Sequence, residues 1–487
     1  MSDAAIATRE FDLDDQLWFA SLSGDANPLH VDPVAARRTM LGECVVHGVH
    51  TVLWALDEYA RSAKLKPCEI ALLRVAFRRP VRLGQRVECH VERATGDSFE
   101  LRVVDAAGGV FADIRVATRP ATSADSGGRM GPLENVECAD LDFDEAANVS
   151  GETRLSLDAL TLEKRFGSLA RTFPLLQTAE VLATTRIVGM FCPGRNSLFG
   201  AIKLESRHAE DAPQVVQYET ERAEPRYSII DVSVNGPTLS GTLNTFYRPP
   251  PQQQAGVNRA QDIVEQSEFR GQRAVVIGGS RGLGEVTAKL LAAGGAELLI
   301  TYASGRREAE QVASEIESIG GACEIAQLDC LRPDEHADRI RAWSPDRLYY
   351  FATPFIRIEK SRAFDPGTFE RLCRFYVSGL YATLEAIVAS DLGRLTLFYP
   401  STVFLDDPVP GTTEYAAAKA AGEQLCRHLE TAGLRYFAPR LPRMRTDQTV
   451  TLAGEPAPDA LETIVSALRE MERAIAATTN VQRAGSD

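Results

Sequence analysis

An aspartate and a histidine stand five residues apart in the segment SGDANPLH, residues 23–30. A carboxylate and a neutral imidazole held together can bracket one water molecule, with one group taking a proton while the other gives one. The Asn27–Pro28 pair between Asp25 and His30 favours a turn, which would project both side chains in the same direction. The spacing therefore predicts a pair that activates water.

His47 and Gly48 follow at the start of an apolar stretch of helix length, residues 47–62. A free backbone N–H at a helix N-terminus polarises a carbonyl oxygen, and a glycine permits close approach. This equipment suits the addition of water to an α,β-unsaturated carbonyl compound, or its removal. His47 and His50 could suggest a metal pair, but no carboxylate or cysteine is spaced to complete the ligand set. We therefore predict no metal site and interpret both histidines as residues of the helix start.

A glycine-rich turn, GGSRGLG at residues 278–284, lies between the apolar run AVVI and a helical stretch. Glycines in that setting admit a pyrophosphate to the helix N-terminus, so the turn predicts a dinucleotide site. The next strand, ELLITYASGRR, lacks the acidic residue that would bind a ribose 2′-hydroxyl. Arg281, Arg306 and Arg307 would suit a 2′-phosphate. We therefore expect NADP(H) rather than NAD(H) as the cofactor.

Tyr415 and Lys419 are four residues apart in EYAAAKAAGEQL, so a helix would place both on one face. A lysine ammonium beneath a tyrosine lowers the pKa of the phenol, which helps it relay a proton to or from a carbinol oxygen. Upstream, LTLFYPSTVF ends a strand with Ser401 and Thr402, whose hydroxyl groups could hold the same oxygen. The spacing allows either residue, and we favour Ser401.

Two polar, turn-rich segments divide the chain into three blocks and are predicted to be linkers, 119–152 and 249–270. Block 1–118 has one apolar helix followed by segments that alternate with period two, which predicts an α+β layout of one helix and an antiparallel sheet. Block 271–487 opens with a βαβ unit, the start of a doubly wound parallel sheet. Block 153–248 again contains segments typical of strands.

This middle block looks like an altered copy of the first. FASLSGDANPLH at 19–30 aligns with FGSLARTFPLLQ at 166–177, and CVVHGVHTVLW aligns with MFCPGRNSLFG, at an offset of about 146 residues in both pairs. Self-similarity at one offset predicts a duplicated fold. The copy lacks the ionisable groups of Asp25 and His30.

The segment SGDANPLHVDPVAARRTMLGECVVHG resembles the signature of MaoC-like (R)-specific enoyl-thioester hydratases. The segment RVAFRRPVRLGQRV resembles the strand that follows the central helix of that family. The likeness covers residues 10–118 strongly and 155–248 weakly, and it implies a double hot-dog fold. The resemblance implies that Asp25 and His30 are the catalytic pair and that the Asn27 amide orients them. It implies that the backbone N–H of Gly48 binds the carbonyl oxygen of the substrate.

The glycine turn, a strand-end aspartate, a serine and Tyr-x-x-x-Lys together resemble the short-chain dehydrogenase/reductase family, which has a Rossmann fold. This resemblance makes Tyr415 the acid, Lys419 its electrostatic partner and ribose ligand, and Ser401 the donor to the substrate oxygen. It also implies that ten residues bind the cofactor: Gly278, Ser280, Arg281, Gly282, Leu283, Gly284, Arg306, Asp329, Lys419 and Thr446. The chain departs from the family at YFAT (350–353), where Asn-Asn-Ala-Gly is usual, and at Tyr376, where an asparagine is usual.

The product of one predicted site is the substrate of the other. We therefore expect a bifunctional 3-ketoacyl-thioester reductase and (R)-3-hydroxyacyl-thioester dehydratase that uses NADP(H) and acyl-CoA or acyl carrier protein thioesters. One alternative is a short-chain reductase alone, with the hot-dog half a scaffold or a module that binds the acyl carrier. Another is a non-catalytic protein whose two pockets only hold a thioester and a dinucleotide.

Composition narrows the class of protein. The 487 residues carry a formal net charge of -14 without a Lys/Arg-rich run, which argues against nucleic acid or anionic membrane as a partner. The nine cysteines are scattered singly along the chain, which indicates reduced thiols. We expect neither a signal peptide nor a membrane span. The sequence thus predicts a cytoplasmic enzyme, and the reductase resemblance implies a homo-oligomer.

Overall fold

The fold is described from a computed structural model of the chain. The described residues are 4–121, 130–207, 213–357, 364–388, 392–450 and 457–484. The chain divides into two compact units, one within Met1–Pro250 and the other within Pro251–Val450 and Glu455–Asp487. The predicted linker 119–152 lies partly outside the described residues, at 122–129. Within the described ranges, no helix combines the length and apolarity needed to cross a membrane.

The N-terminal unit contains a ten-stranded antiparallel sheet in its described part. Its first half consists of β1 Ala7–Glu10, α1 Leu13–Ser23, α2 Pro28–Val31, α3 Pro33–Ala36, α4 Gly48–Ala63, β2 Cys68–Phe77, β3 Arg86–Thr95, β4 Ser98–Val104 and β5 Val110–Pro120. Its second half consists of α5 Phe143–Ala146, β6 Ser150–Arg154, α6 Ala159–Arg165, α7 Gly167–Thr172, α8 Leu175–Arg186, β7 Ser197–Ser206, β8 Val215–Glu224, β9 Ile229–Asn235 and β10 Leu239–Tyr247. The predicted helix and alternating strands of the first block are confirmed.

The strand order of this sheet is symmetric about its centre. It runs β1-β3-β4-β5-β2-β7-β10-β9-β8-β6, so β2 of the first half pairs with β7 of the second. The helices α4 and α8 occupy equivalent places in the two halves, and residues of both lie in one hydrophobic core with the inward side chains of the strands. Each half therefore contributes five strands to the described sheet and one central helix to the core.

The predicted offset of 146 residues between the halves is wrong for most of their length. Strand β2 begins at Cys68 and β7 at Ser197, an offset of 129 residues. The difference arises because α1 ends at Ser23 and α4 starts at Gly48, whereas only residues 173–174 separate α7 from α8. The second half thus lacks the entire loop that carries Asp25 and His30 in the first, rather than only their ionisable groups.

In its described part, the C-terminal unit has a six-stranded parallel sheet in the order β13-β12-β11-β14-β15-β17, with a short parallel pair β16-β18. Its elements are α9 Val257–Gln261, β11 Arg273–Ile277, α10 Gly282–Ala293, β12 Glu297–Tyr302, α11 Arg306–Ser318, β13 Cys323–Gln327, α12 Ala337–Trp343, β14 Arg347–Tyr350, α13 Pro366–Cys373, α14 Leu380–Val388, β15 Thr396–Phe398, β16 Ser401–Thr402, α15 Thr413–Glu430, β17 Arg435–Phe437, β18 Arg440–Leu441 and α16 Ala460–Ala484.

Alternate side chains of β11 enter two different cores. Ala274 and Val276 pack in a cluster with residues of α10, α11 and α16, whereas Val275 and Ile277 pack in a second cluster with residues of α12, α14 and α15. A strand buried on both faces explains why AVVI is a continuous apolar run. The predicted parallel sheet, covered by helices on both faces, is confirmed.

Candidate active sites

The segment with Asp25 and His30 is a short loop that ends in a helical turn. Helix α1 stops at Gly24, whose φ of 74° suits a residue without a side chain. Asn27 caps α2, because its Oδ1 accepts a hydrogen bond from the backbone N–H of Leu29 at 2.9 Å, and Pro28 takes the first helical position. The Asn-Pro pair therefore starts a helix that carries His30, in addition to forming the predicted turn.

Asp25 is buried against the second half of the N-terminal unit. Its Oδ2 accepts a hydrogen bond of 2.6 Å from Oγ1 of Thr185 in α8, and its Oδ1 accepts one of 3.2 Å from the backbone N–H of Asn27. A Cβ atom at Gly189, in the π-helical turn that follows α8, would overlap the carboxylate. Burial raises the pKa of Asp25, and His30 and these hydrogen bonds oppose that rise.

His30 has one ring nitrogen without a hydrogen-bond partner among the residues that the structure describes. Its Nδ1 lies 2.7 Å from the carbonyl oxygen of Val45, which can only accept, so Nδ1 carries the hydrogen and Nε2 is the unprotonated nitrogen of the neutral ring. Burial lowers the pKa of His30, which favours that neutral form. A carboxylate oxygen of Asp25 and one ring nitrogen each from His30 and His47 all lie within 4.8 Å of one another. The structure therefore brings the predicted pair together.

His47 supports both members of this pair. Its ring stacks on that of His30 with centroids 3.9 Å apart, and its Nε2 donates to the backbone oxygen of Asp25 at 2.9 Å. Its Nδ1 is 3.0 Å from Oε1 of Gln16. The argument that no carboxylate is spaced to complete a ligand set with His47 and His50 does not hold for His47, since Oδ2 of Asp25 lies 3.9 Å from His47 Nε2. The Nε2 of His47 is already engaged by the backbone oxygen of Asp25, and the absence of a metal stays a prediction.

Gly48 begins helix α4, as predicted. A Cβ atom there would lie 2.8 Å from the ring of Phe77, so the packing of this ring requires a glycine. Backbone N–H groups in the first turn of a helix have no partner within the helix. His50 is a core residue, because its ring stacks on Phe19 with centroids 4.5 Å apart and its nitrogens are buried.

The glycine turn of the C-terminal unit connects β11 to α10. Gly278 and Gly282 have φ values of 76° and 59°, which favour glycine, and the space beside Gly282 is open. A Cβ atom at Gly284 would overlap the carbonyl oxygen of Gly278, so the third glycine lets the helix approach the turn. Ser280 is buried and Leu283 half-buried within the same turn. An open turn at the start of a helix fits a dinucleotide pyrophosphate.

The polar residues predicted around the cofactor lie in the loops that follow the strands. Arg281 occupies the N-cap position of α10, and its Nη1 is 3.7 Å from Oδ2 of Asp447. Arg306 starts α11 and donates from Nε to Glu310 at 2.8 Å. The oxygen Oδ1 of Asp329, after β13, accepts a hydrogen bond of 2.9 Å from the backbone N–H of Leu331. The backbone N–H of Thr446, in the loop after β18, donates to Oγ1 of Thr449 at 2.9 Å.

Tyr415 and Lys419 both lie on α15, and the lysine is enclosed by aromatic rings. Its Nζ donates to the backbone oxygen of Pro400 at 2.7 Å and lies 4.0, 4.9 and 5.9 Å from the ring centroids of Tyr376, Tyr399 and Tyr415. Burial lowers the pKa of Lys419 to about 7. Burial also raises the pKa of Tyr415 to about 12, against a hydrogen bond with Thr402.

The surroundings of Ser401 and Thr402 differ. The Ser401 hydroxyl donates to the Glu423 carboxylate and accepts a hydrogen bond of 3.0 Å from Arg440 Nη1. The Thr402 hydroxyl group instead acts on Tyr415, whose pKa it lowers against the effect of burial. Adjacent residues of a strand point to opposite sides, so only one of the two hydroxyl groups can face the tyrosine.

The two departures from the reductase pattern contact each other. The hydroxyl group of Tyr376 lies 2.6 Å from Oγ1 of Thr353, the last residue of YFAT. The ring of Tyr376 also packs on the Lys419 ammonium. The two unusual residues therefore form one hydrogen-bonded pair beside the lysine.

Two family models match the chain. One, described as a MaoC like domain, matches residues 4–111, and the other, described as short chain dehydrogenase, matches residues 272–347. The chain joins a MaoC-like domain to a short-chain dehydrogenase domain. The MaoC-like match includes Asp25 and His30, whereas the short-chain dehydrogenase match includes the glycine turn and ends before Tyr415.

Relatives match separate parts of the chain. The 3-hydroxybutyryl-CoA dehydratase of Methylorubrum extorquens is 34% identical over 91 residues, 18% of this chain and 57% of the dehydratase. An uncharacterized oxidoreductase of the same organism is 27% identical over 227 residues, 45% of this chain and 87% of that protein. A solved short chain dehydrogenase from Burkholderia cenocepacia in complex with NADP is 25% identical and covers 40% of this chain and 88% of its own, at a TM-score of 0.35. The chain thus spans little more than half the length of the dehydratase relative.

Sequence reasoning missed the wall that the second half supplies to the candidate site of the MaoC-like domain. Nδ2 of Asn27 donates to the backbone oxygens of Gly189 and Gly194 at 2.9 and 3.0 Å. The predicted linker 119–152 also contributes, since Cys138 Sγ lies 3.2 Å from the Gly189 oxygen. These residues belong to no local motif, and only the tertiary fold brings them to Asp25.

Proposed function

We propose that the chain is bifunctional, a dehydratase or hydratase of acyl thioesters in its MaoC-like domain and a 3-ketoacyl-thioester reductase in its short-chain dehydrogenase domain. The observation that carries the proposal is the meeting of Asp25 with His30 in a buried site where one imidazole nitrogen has no hydrogen-bond partner in the described part of the chain. The family descriptions support an enzyme of dehydratase and oxidoreductase type. The name of the dehydratase relative supports a thioester substrate.

In the hydration direction, Asp25 and His30 would hold one water molecule against the β-carbon of an enoyl thioester. One of these two basic groups, the Nε2 of His30 or the Asp25 carboxylate, would accept a proton from water as the water oxygen bonds to the β-carbon, and the same proton would then be delivered to the α-carbon. The N–H of Gly48 would bind the thioester oxygen, where negative charge develops. Thr185 would hold the carboxylate in place, while Asn27 orients the loop.

The role of Thr185 predicts a shift in the pH profile. A hydroxyl donor favours the ionised carboxylate, so Thr185→Val raises the pKa of Asp25. We expect the acid limb of kcat/KM for enoyl-thioester hydration to move up by about 1–2 pH units, since a hydrogen bond to a charged group contributes about 1.5–3 kcal/mol. Thr185→Ser, which keeps the donor, is the matched control. An unshifted acid limb in Thr185→Val would contradict this role.

We further propose that the N-terminal unit is a double hot-dog, with a catalytic domain at 1–118 and a degenerate one at 153–248. The symmetric strand order supports this assignment. We place the short-chain dehydrogenase domain at 271–487, with linkers at 119–152 and 249–270 that include α5, the start of β6 and α9. We place the chain in the cytoplasm as a homo-oligomer, without nucleic acid or membrane partners.

In the reductase domain, Tyr415 would protonate the oxygen of a 3-ketoacyl thioester, and Thr402 would hold that oxygen through its hydroxyl group. The nicotinamide cofactor, when bound, supplies the hydride. Lys419 would support Tyr415 electrostatically and bind the ribose. Because the strand-end segment carries Arg306 and no acidic residue, we propose NADP(H) rather than NAD(H).

The fit of the glycine turn to a dinucleotide can be tested at Gly284. In Gly284→Ala the added methyl group overlaps the Gly278 oxygen and pushes α10 from the turn. We expect the Kd for NADPH, measured by its fluorescence on binding, to rise by about 10-fold or more. Gly256→Ala is the control, because a Cβ atom there meets open space at a φ of -67°. Equal affinities in both variants would exclude this site.

A second candidate function is a dehydratase whose dinucleotide domain binds the cofactor without reducing a substrate. The enclosure of Lys419 by tyrosine rings, with its Nζ donating to Pro400, favours it. Mass spectrometry of a 3-ketoacyl thioester incubated with NADPH distinguishes the two proposals. We expect a 3-hydroxyacyl product followed by an enoyl product, with each carrier tested. Unchanged ketoacyl thioester, together with hydration of an enoyl thioester, would support the second candidate.

A further inference from the structure

Arg248, the residue that follows β10, is a buried cation without a countercharge among the described residues. Its side chain is 2% exposed. One nitrogen, Nη2, donates to the backbone oxygen of Arg195 at 2.6 Å, whereas Nε and Nη1 find no acceptor in the described part of the chain. Burial lowers its pKa to about 10, so the guanidinium is positive at neutral pH. Charges buried in proteins are normally paired, because an unpaired one costs several kcal/mol.

Arg248 and Asn27, which lies between Asp25 and His30, donate hydrogen bonds to the same turn. The turn 194–196 accepts hydrogen bonds from Nη2 and the backbone N–H of Arg248 through the oxygens of Arg195 and Asn196. The adjacent Gly194 oxygen accepts one from Asn27. The charge of Arg248 is also felt at His30, whose pKa it helps to lower. Arg248 is therefore joined through the turn 194–196 to the segment that carries the proposed water-activating pair.

The position on the substrate of a group that would pair with this cation follows by elimination. In the proposed function, the thioester oxygen is bound by Gly48, and the water or hydroxyl group by Asp25 and His30. The phosphate groups of the carrier are separated from the thioester by the long pantetheine arm. The remaining place for an acceptor is the acyl chain beyond the β-carbon. A carboxylate there matches a guanidinium in both charge and hydrogen bonding.

We propose that Arg248 forms a subsite for a carboxylate carried by the acyl group, so that the MaoC-like domain acts on dicarboxylic acid monothioesters. This proposal rests on the proposed hydratase function and names its substrate class. The guanidinium selects the substrate through a charged hydrogen bond, while Asp25 and His30 perform the reaction.

Two substrates that differ only at the far end test this selectivity. They are the CoA thioesters of trans-2-pentenoic acid and trans-2-pentenedioic acid, in which a methyl group is replaced by a carboxylate. In Arg248→Met, we expect the ratio of kcat/KM for the diacid to that for the monoacid to fall by about 30-fold or more, as for removal of one partner of a buried charge pair. Arg248→Lys keeps the charge and falls less, and Arg226→Met, at an exposed arginine, leaves the ratio unchanged. An unchanged ratio in Arg248→Met overturns the subsite.

Binding of saturated thioesters separates this result from failure of the hydratase proposal. Pentanedioyl-CoA and pentanoyl-CoA cannot be hydrated, so their Kd values report recognition alone. Weaker binding of the diacid thioester alone in Arg248→Met supports the subsite even if no enoyl thioester is hydrated. Equal weakening of both, or of neither, assigns Arg248 a structural role and overturns the subsite. If Arg248→Met fails to fold in a thermal unfolding control, Arg248→Lys decides by the same comparison.

Discussion

Asp25→Asn loses hydration of an enoyl thioester measured without added cofactor, with kcat/KM falling by about 10²–10⁴-fold. The amide cannot exchange a proton with water, although it keeps the size of the carboxylate and can still accept the hydrogen bond from Thr185. Absorbance of the enoyl thioester provides the assay. Because the side chain is 1% exposed, the loss reflects the site itself rather than a change of the protein surface.

Asp32→Asn is the matched control for this variant. Asp32 is exposed, lies two residues after His30 and caps α3 through its side chain, a role that asparagine can also fill. We expect it to retain hydration. If Asp25→Asn hydrates as fast as Asp32→Asn, the MaoC-like domain is a scaffold and the short-chain reductase acts alone.

Tyr415→Phe loses oxidation of NADPH by a 3-ketoacyl thioester, by about 10²–10⁴-fold in kcat/KM. The phenol hydroxyl is the proposed proton donor to the substrate oxygen, and phenylalanine preserves the ring that packs near Tyr376 at a centroid distance of 5.9 Å. Hydration by the MaoC-like domain is expected to continue in this variant. Simultaneous loss of both activities would indicate a folding defect, which a thermal unfolding measurement would reveal.

The hydroxyl groups of β16 refine the same experiment. Thr402→Val removes the hydroxyl group that lowers the pKa of Tyr415, whereas Ser401→Ala removes one that is engaged with Glu423. We expect the larger loss of reductase activity in Thr402→Val. The opposite order would favour Ser401 as the residue that holds the substrate oxygen.

Both sites could be found from sequence where their chemistry is local. Asp25 with His30, the glycine turn and Tyr415 with Lys419 each fit within a short window whose spacing alone brings the groups together. The apolar run AVVI likewise identified a strand of the parallel sheet, which in the structure is buried on both faces. Local spacing thus predicted both candidate sites and the parallel sheet.

What the sequence alone could not decide has physical causes. Thr185 and Gly189 reach Asp25 only through the packing of the two halves, a contact that spans about 160 residues. The choice between Ser401 and Thr402 depends on which way a strand faces, and a register error of one residue reverses it. The repeat offset failed because an inserted loop breaks the alignment between α1 and α4.

That inserted loop also determines how many of the proposed hydratase sites each polypeptide carries. Since the segment between α1 and α4 has no counterpart between α7 and α8, the two halves of the N-terminal unit cannot take turns in the reaction. A tight-binding inhibitor that titrates hydration is therefore expected to reach its endpoint at one equivalent per polypeptide, even though the sheet contains two nearly equivalent frameworks.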